Sequence, residues 1–73
     1  MILVDLKGHM VSDTSVADLH DFAEGLGLKR WRFRVGRGHP HYDLITADKL
    51  LEAIRGGAVY VTTRKIVERM ARS

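Results

Sequence analysis

The sequence predicts one α+β domain with a ferredoxin-like split βαβ core: four antiparallel strands carrying helices on one face, with a further helix at the C-terminus. Three observations predict it. Short runs of branched and aromatic residues ("ILVDL", "RWRFRV", "HYDLI", "AVYV") alternate with two amphipathic segments in the order βαββαβ. Glycines follow each of those helical segments, where helices commonly stop. The chain of 73 residues suits a single domain, residues 1–73, with a small core.

Residues 2–6 read as a short buried strand. Gly8 to Ser12 is expected as a loop. Asp13, Thr14 and Ser15 offer caps for the first helix, and Asp18 lies three residues beyond Ser15, as in a capping box. Val16, Leu19, Phe22, Ala23 and Leu26 form its apolar stripe, and Gly25 and Gly27 supply stop signals.

Residues 30–35 alternate strictly, which predicts a half-buried strand. Trp31, Phe33 and Val35 are expected to face the helices, together with Tyr42 and Leu44 of the return strand 41–45. Thr46 caps a second helix whose Ala47, Leu50, Leu51 and Ile54 fall on one face, and Gly56–Gly57 end it. "AVYV", residues 58–61, is the fourth strand. Thr62 or Thr63 then caps a basic helix running to about Arg72. A small mixed sheet with "AVYV" at its centre is the alternative closure, because that run is apolar for an edge.

Composition narrows the function. With no cysteine there is neither a disulfide nor a thiolate–zinc site. The apolar start is too short for a membrane span and no cleavable signal follows, so a cytoplasmic setting is expected and no membrane partner. Residues 1–28 are net acidic and residues 29–73 net basic, which points to an anionic partner or to one half of the fold pairing with the other.

On the expected sheet, Arg30, Arg32, Arg34, His41 and Asp43 share the open face, and Asp5, Lys7 and Tyr60 can join them. His9, Arg37, His39, His41 and the start of the first helix near Asp13 would converge at one rim. Charged outer faces also simply block edge-to-edge aggregation and form cross-strand pairs, so the ladder has an ordinary structural explanation. The sharper reading is a surface that grips phosphate through Arg30, Arg32, Arg34 and Arg37, with His9, His41 and Asp43 in the same site. Stacking is expected to contribute little, with Tyr60 the sole aromatic foreseen on that face. His39, His41 and Asp43 could hold a divalent ion, but their spacing is loose and the arginines oppose it. No cofactor is called for. His20 reads as a half-buried packing residue, and the Lys65, Arg69, Arg72 stripe as a solvated face.

The residues His9, "DT" (13–14), "LH" (19–20), Phe22–Ala23, "HYD" (41–43) and "GAV" (57–59) resemble the pattern of a small domain-of-unknown-function family of bacteria and bacteriophages. That family usually has Thr sooner after "HYD" and then a Lys–Arg pair, where this chain reads "LITADKL". The resemblance implies no activity. It implies that His9, His41 and Asp43 belong to a shared pattern and that the arginine ladder is local to this chain. It also implies a bacterial or phage-encoded accessory protein acting on a host component.

Three functional classes follow. The first is a non-enzymatic module that engages nucleic acid or a nucleotide through a basic sheet face. The second is a protein-interaction or inhibitor module directed at a host protein, or a homodimer formed through a strand edge. The third is a small metal- or histidine-dependent phosphoester hydrolase built on His9, His41 and Asp43.

Overall fold

The computed structural model describes residues 1–35 and 39–71. Arg37 and Arg72 lie outside the described residues. The elements are β1 (Ile2–Val4), β2 (His9–Ser12), α1 (Val16–Gly25), a 3-10 turn (Arg30–Arg32), β3 (Phe33–Arg34), β4 (His41–Asp43), α2 (Ala47–Arg55), β5 (Val59–Tyr60) and α3 (Thr63–Ala71).

The fold is α+β, but the sheet has five strands in the order β3-β4-β2-β1-β5 and is mixed. Four antiparallel strands were expected. The fifth strand is β2, which replaces the loop expected at 8–12. It pairs antiparallel with β1, aligning Leu3 with Val11, and antiparallel with β4, aligning His9 with Asp43. The cause is a tight turn. The Gly8 amide bonds the Asp5 carbonyl and the Asp5 amide bonds the His9 carbonyl, which closes a three-residue hairpin. Gly8 sits at φ +88°, and a Cβ there would collide with the Leu44 carbonyl oxygen.

The strand expected over 30–35 is shorter than its alternation suggested. Only Phe33 and Arg34 pair with β4, opposite Tyr42 and His41. Beyond Asp43 the partner turns away: the Leu44 amide bonds Gly8, and Thr46 already caps α2. Residues 30–32 therefore lack a strand to pair with and close locally into a 3-10 turn, the Arg32 amide bonding the Lys29 carbonyl. This corrects the face assignment. Tyr42 and Leu44 are buried and Phe33 half-buried, whereas Trp31 and Val35 are exposed.

The helices follow their local signals. Ser15 accepts from the Asp18 amide at α1, as a capping residue should, while the Asp18 carboxylate accepts from Thr14 Oγ1. Thr46 caps α2 and Thr62 caps α3. Both α1 and α2 end in the same paired pattern. Leu28 and Gly27 return bonds to Ala23 and Glu24, and Ala58 and Gly57 return bonds to Ala53 and Ile54.

Helices α1 and α2 pack on one face of the sheet, where Leu19, Ala23 and Ala53 meet Val4, Met10, Tyr42 and Leu44. Helix α3 covers the other face, with Ile66 against Leu3 and Val11. Strand β5 runs parallel to β1 at the edge of the sheet, so the last strand is not central. Among the described residues no helix is long and apolar enough to cross a membrane.

Candidate functional site

The pleat sorts the polar residues. Val4, Met10, Tyr42 and Leu44 belong to the α1/α2 core, whereas Leu3 and Val11 pack under α3. Successive side chains alternate between faces, so His9, His41 and Asp43 share the α3 side of the sheet. Asp5 continues that side from β1, and Thr63 reaches it from the first turn of α3.

Asp5 is the centre of the arrangement. It is fully buried, and its Oδ1 accepts from the His9 amide at 2.9 Å. Its Oδ2 accepts from His9 Nδ1 at 2.9 Å and from Thr63 Oγ1 at 2.7 Å. Burial pushes the carboxyl up, but the hydrogen bonds from Thr63 and from the His9 ring and backbone outweigh it. The net result is a pKa below the ordinary carboxylate value. His9 is thus anchored through Nδ1 to a buried carboxylate. Its Nε2 has no partner among the described residues and is open to solvent.

The His9 and His41 rings meet edge to face with centroids 5.5 Å apart. His41 Nδ1 donates to the His39 carbonyl at 3.2 Å, and its Nε2 lies 3.3 Å from Asp43 Oδ1. Both ring nitrogens therefore face oxygens that only accept. Asp43 Oδ2 lies 3.8 Å from Arg34 Nε. The His39 ring stands 5.9 Å from His41, and its pKa is lowered by burial, then by the charges of His41 and His9, with Asp5 acting in the opposite sense.

His9, His39, His41 and Asp43 converge as expected at this end of the sheet, with Arg34 beside them. The start of α1 does not: Asp13 follows the opposite end of β2 and pairs with the Met1 amine and Arg69. Arg30 and Arg32 do not join the cluster either. Arg30 lines a cleft with His20, Glu24, Lys29 and Tyr42. Arg32 stacks over Trp31 at 4.7 Å from the ring centroid and lines a second cleft with Lys29 and Lys49. The expected ladder is thus divided by the 3-10 turn. Among the described residues, no three of His, Asp and Glu are placed to hold a metal ion. His20 does pack: it shares a 2.7 Å hydrogen bond with the Tyr42 hydroxyl and lies against Phe33.

Two members of the cluster were not read correctly from the sequence. Asp5 was expected on an open face and is buried, and Thr63 was read only as a helix cap. The signal for Asp5 is the "DLKGH" spacing, since Asp at the start and Gly at the end of a tight turn would have placed His9 beside Asp5.

Comparison with known proteins adds a family. The family described as "Protein of unknown function (DUF4031)" matches residues 4–73. The chain belongs to the DUF4031 family. Its match runs from the last residue of β1 through α3, so Asp5, His9, His41, Asp43 and Thr63 all fall within the DUF4031 region. No curated protein and no solved structure matches the chain.

Proposed function

We propose that this DUF4031 domain is a small binding module for a phosphate-bearing ligand, a nucleotide or nucleic acid, held on the α3 side of the sheet by His9, His41 and Arg34. The observation that carries the reading is the His9 ring, fixed by a buried carboxylate with its Nε2 open. A protonated imidazole in a fixed orientation donates to a phosphate oxygen without losing side-chain freedom on binding. Arg34 supplies a planar fork beside it. Asp43 sets the limit on charge: it lies beside both Arg34 and His41, so a ligand must compete with a carboxylate for them, which favours a dianionic phosphate over a weaker anion. We further propose that the module is a bacterial or phage-encoded accessory protein that works in the cytoplasm.

The test is a histidine NMR titration against inorganic phosphate, AMP and a short oligonucleotide. Each should move the His9 and His41 ring resonances, and affinity should fall steeply with salt. Ring signals indifferent to all three at millimolar concentration would overturn the reading.

One observation favours a second reading, phosphoester hydrolysis. The Asp5–His9 pair has the geometry of an oriented general base, with Nε2 free to take a proton from water. Turnover of a generic activated phosphodiester, lost in His9→Asn, would support it. A rate equal to the buffer blank removes it.

A further inference from the structure

The chain has a single tryptophan, and it is not in the core. Trp31 is 67 % exposed, on the 3-10 turn, while Tyr42 and Phe33 supply the aromatic packing inside. One side of its indole is already occupied by a cation: the Arg32 guanidinium lies 4.7 Å from the ring centroid. Around it the surface is basic. Lys29, Arg32 and Lys49 line one cleft with Leu28, Ile45 and Thr46, and Lys29 and Arg30 line the next. The side chains of Lys29 and Arg30 make no ion pair among the described residues, while Lys49 is held by the Leu26 carbonyl and Glu52. Glu24 is the acid in the Arg30 cleft. Cations dominate, and two of them are uncommitted.

We propose that the turn Lys29–Arg32 is a single-stranded nucleic-acid contact, in which a base stacks on Trp31 and the flanking phosphates meet Lys29 and Arg30. The inference rests on the phosphate-binding reading and names its ligand. An exposed indole beside a guanidinium offers a flat π surface that any base can use, and interleaved cations track the backbone. Bases inside a duplex present no free face, so the ligand is a single strand. The position fits as well. Arg34 pairs with His41 at the far end of β3, and the 3-10 turn that carries Trp31 leads into the near end of that strand at Phe33. Three residues separate Arg34 from Trp31, roughly 6–10 Å at the rise of a 3-10 turn or of a strand. A single strand held by the histidines on the α3 side would therefore reach the tryptophan by crossing the edge strand β3 towards the clefts beside α1 and α2.

Because Trp31 is the sole tryptophan, its fluorescence reports this contact directly. Twelve-residue oligo(dT) or oligo(U) should quench it saturably at low salt, whereas inorganic phosphate should leave it unchanged. Binding of a labelled oligonucleotide, followed by anisotropy, should weaken about tenfold in Trp31→Ala and return in Trp31→Phe. Lys29→Gln with Arg30→Gln should lower the salt dependence by about two phosphate contacts. Thermal melts of each variant should match the parent, since these side chains are exposed. Equal oligonucleotide affinity in Trp31→Ala would overturn the inference and leave the phosphate-binding reading standing. Histidine shifts with phosphate, but neither binding nor quenching by oligonucleotide, would do the same. Silence of the histidines to phosphate together with no oligonucleotide binding would overturn both.

Discussion

Asp5 shows how one side chain can serve both fold and site. It satisfies the His9 amide at the hairpin turn, anchors the His9 ring and receives the Thr63 hydroxyl. Removing its charge leaves those donors facing a weaker or mismatched partner in a dry place, at a cost of roughly 3 kcal/mol for Asp5→Asn. Chemical denaturation at neutral pH should read that loss. The acid response has a definite sign. The folded pKa of Asp5 lies below its ordinary 3.8, so its stabilisation is complete above that value and disappears as pH falls through the lowered one. The acid-unfolding profile of Asp5→Asn should therefore lack this component below about pH 4. A variant as acid-sensitive as the parent would show that Asp5 does not act through its charge.

Element boundaries make two further predictions. If residues 30–35 formed one strand, Trp31 and Phe33 would face the same core and their truncations would cost alike. The 3-10 turn separates them. Phe33→Ala should cost about 2–3 kcal/mol, because its half-buried ring lies against His20 and Tyr42. Trp31→Ala should cost under about 0.5 kcal/mol. Equal costs in urea denaturation would restore the continuous strand. The hairpin is tested at Gly8, where alanine meets both a positive φ and the Leu44 carbonyl. Gly8→Ala should destabilise by more than about 1 kcal/mol and disturb the His9–Asp43 pairing, visible as faster amide exchange in β2 and β4. Unchanged exchange there would mean that the turn does not set the register.

Across the whole molecule, α3 joins the second core to the site. Ile66 is buried against Leu3 and Val11, Arg69 reaches Asp13 at 2.8 Å, and Thr63 holds Asp5. Ile66→Ala should cost roughly 3 kcal/mol, and should also loosen the His9 ring by freeing the helix that pins its carboxylate. Joint broadening of the His9 and Thr63 resonances would show that coupling; a destabilised protein with an unchanged His9 environment would refute it.

The helices were legible in the sequence because their signals are local: Ser15, Thr46 and Thr62 cap within three residues, and Gly27 and Gly57 stop within two. The α+β class was legible in the order of elements; His9, His41 and Asp43 do meet as expected, but through the unforeseen pairing of β2 with β4 rather than through the expected ferredoxin-like order. Pairing decided the rest. Residues 9–12 become a strand because β1 and β4 both bond to them, and residues 30–32 fail to become one because β4 ends at Asp43. Alternation fixes which residues can share a face, but only a neighbouring strand turns that capacity into a ladder. The burial of Asp5 and the exposure of Trp31 are the two consequences that matter for function. Both depend on contacts between segments distant in sequence, since Thr63 lies 58 residues from the carboxylate it completes.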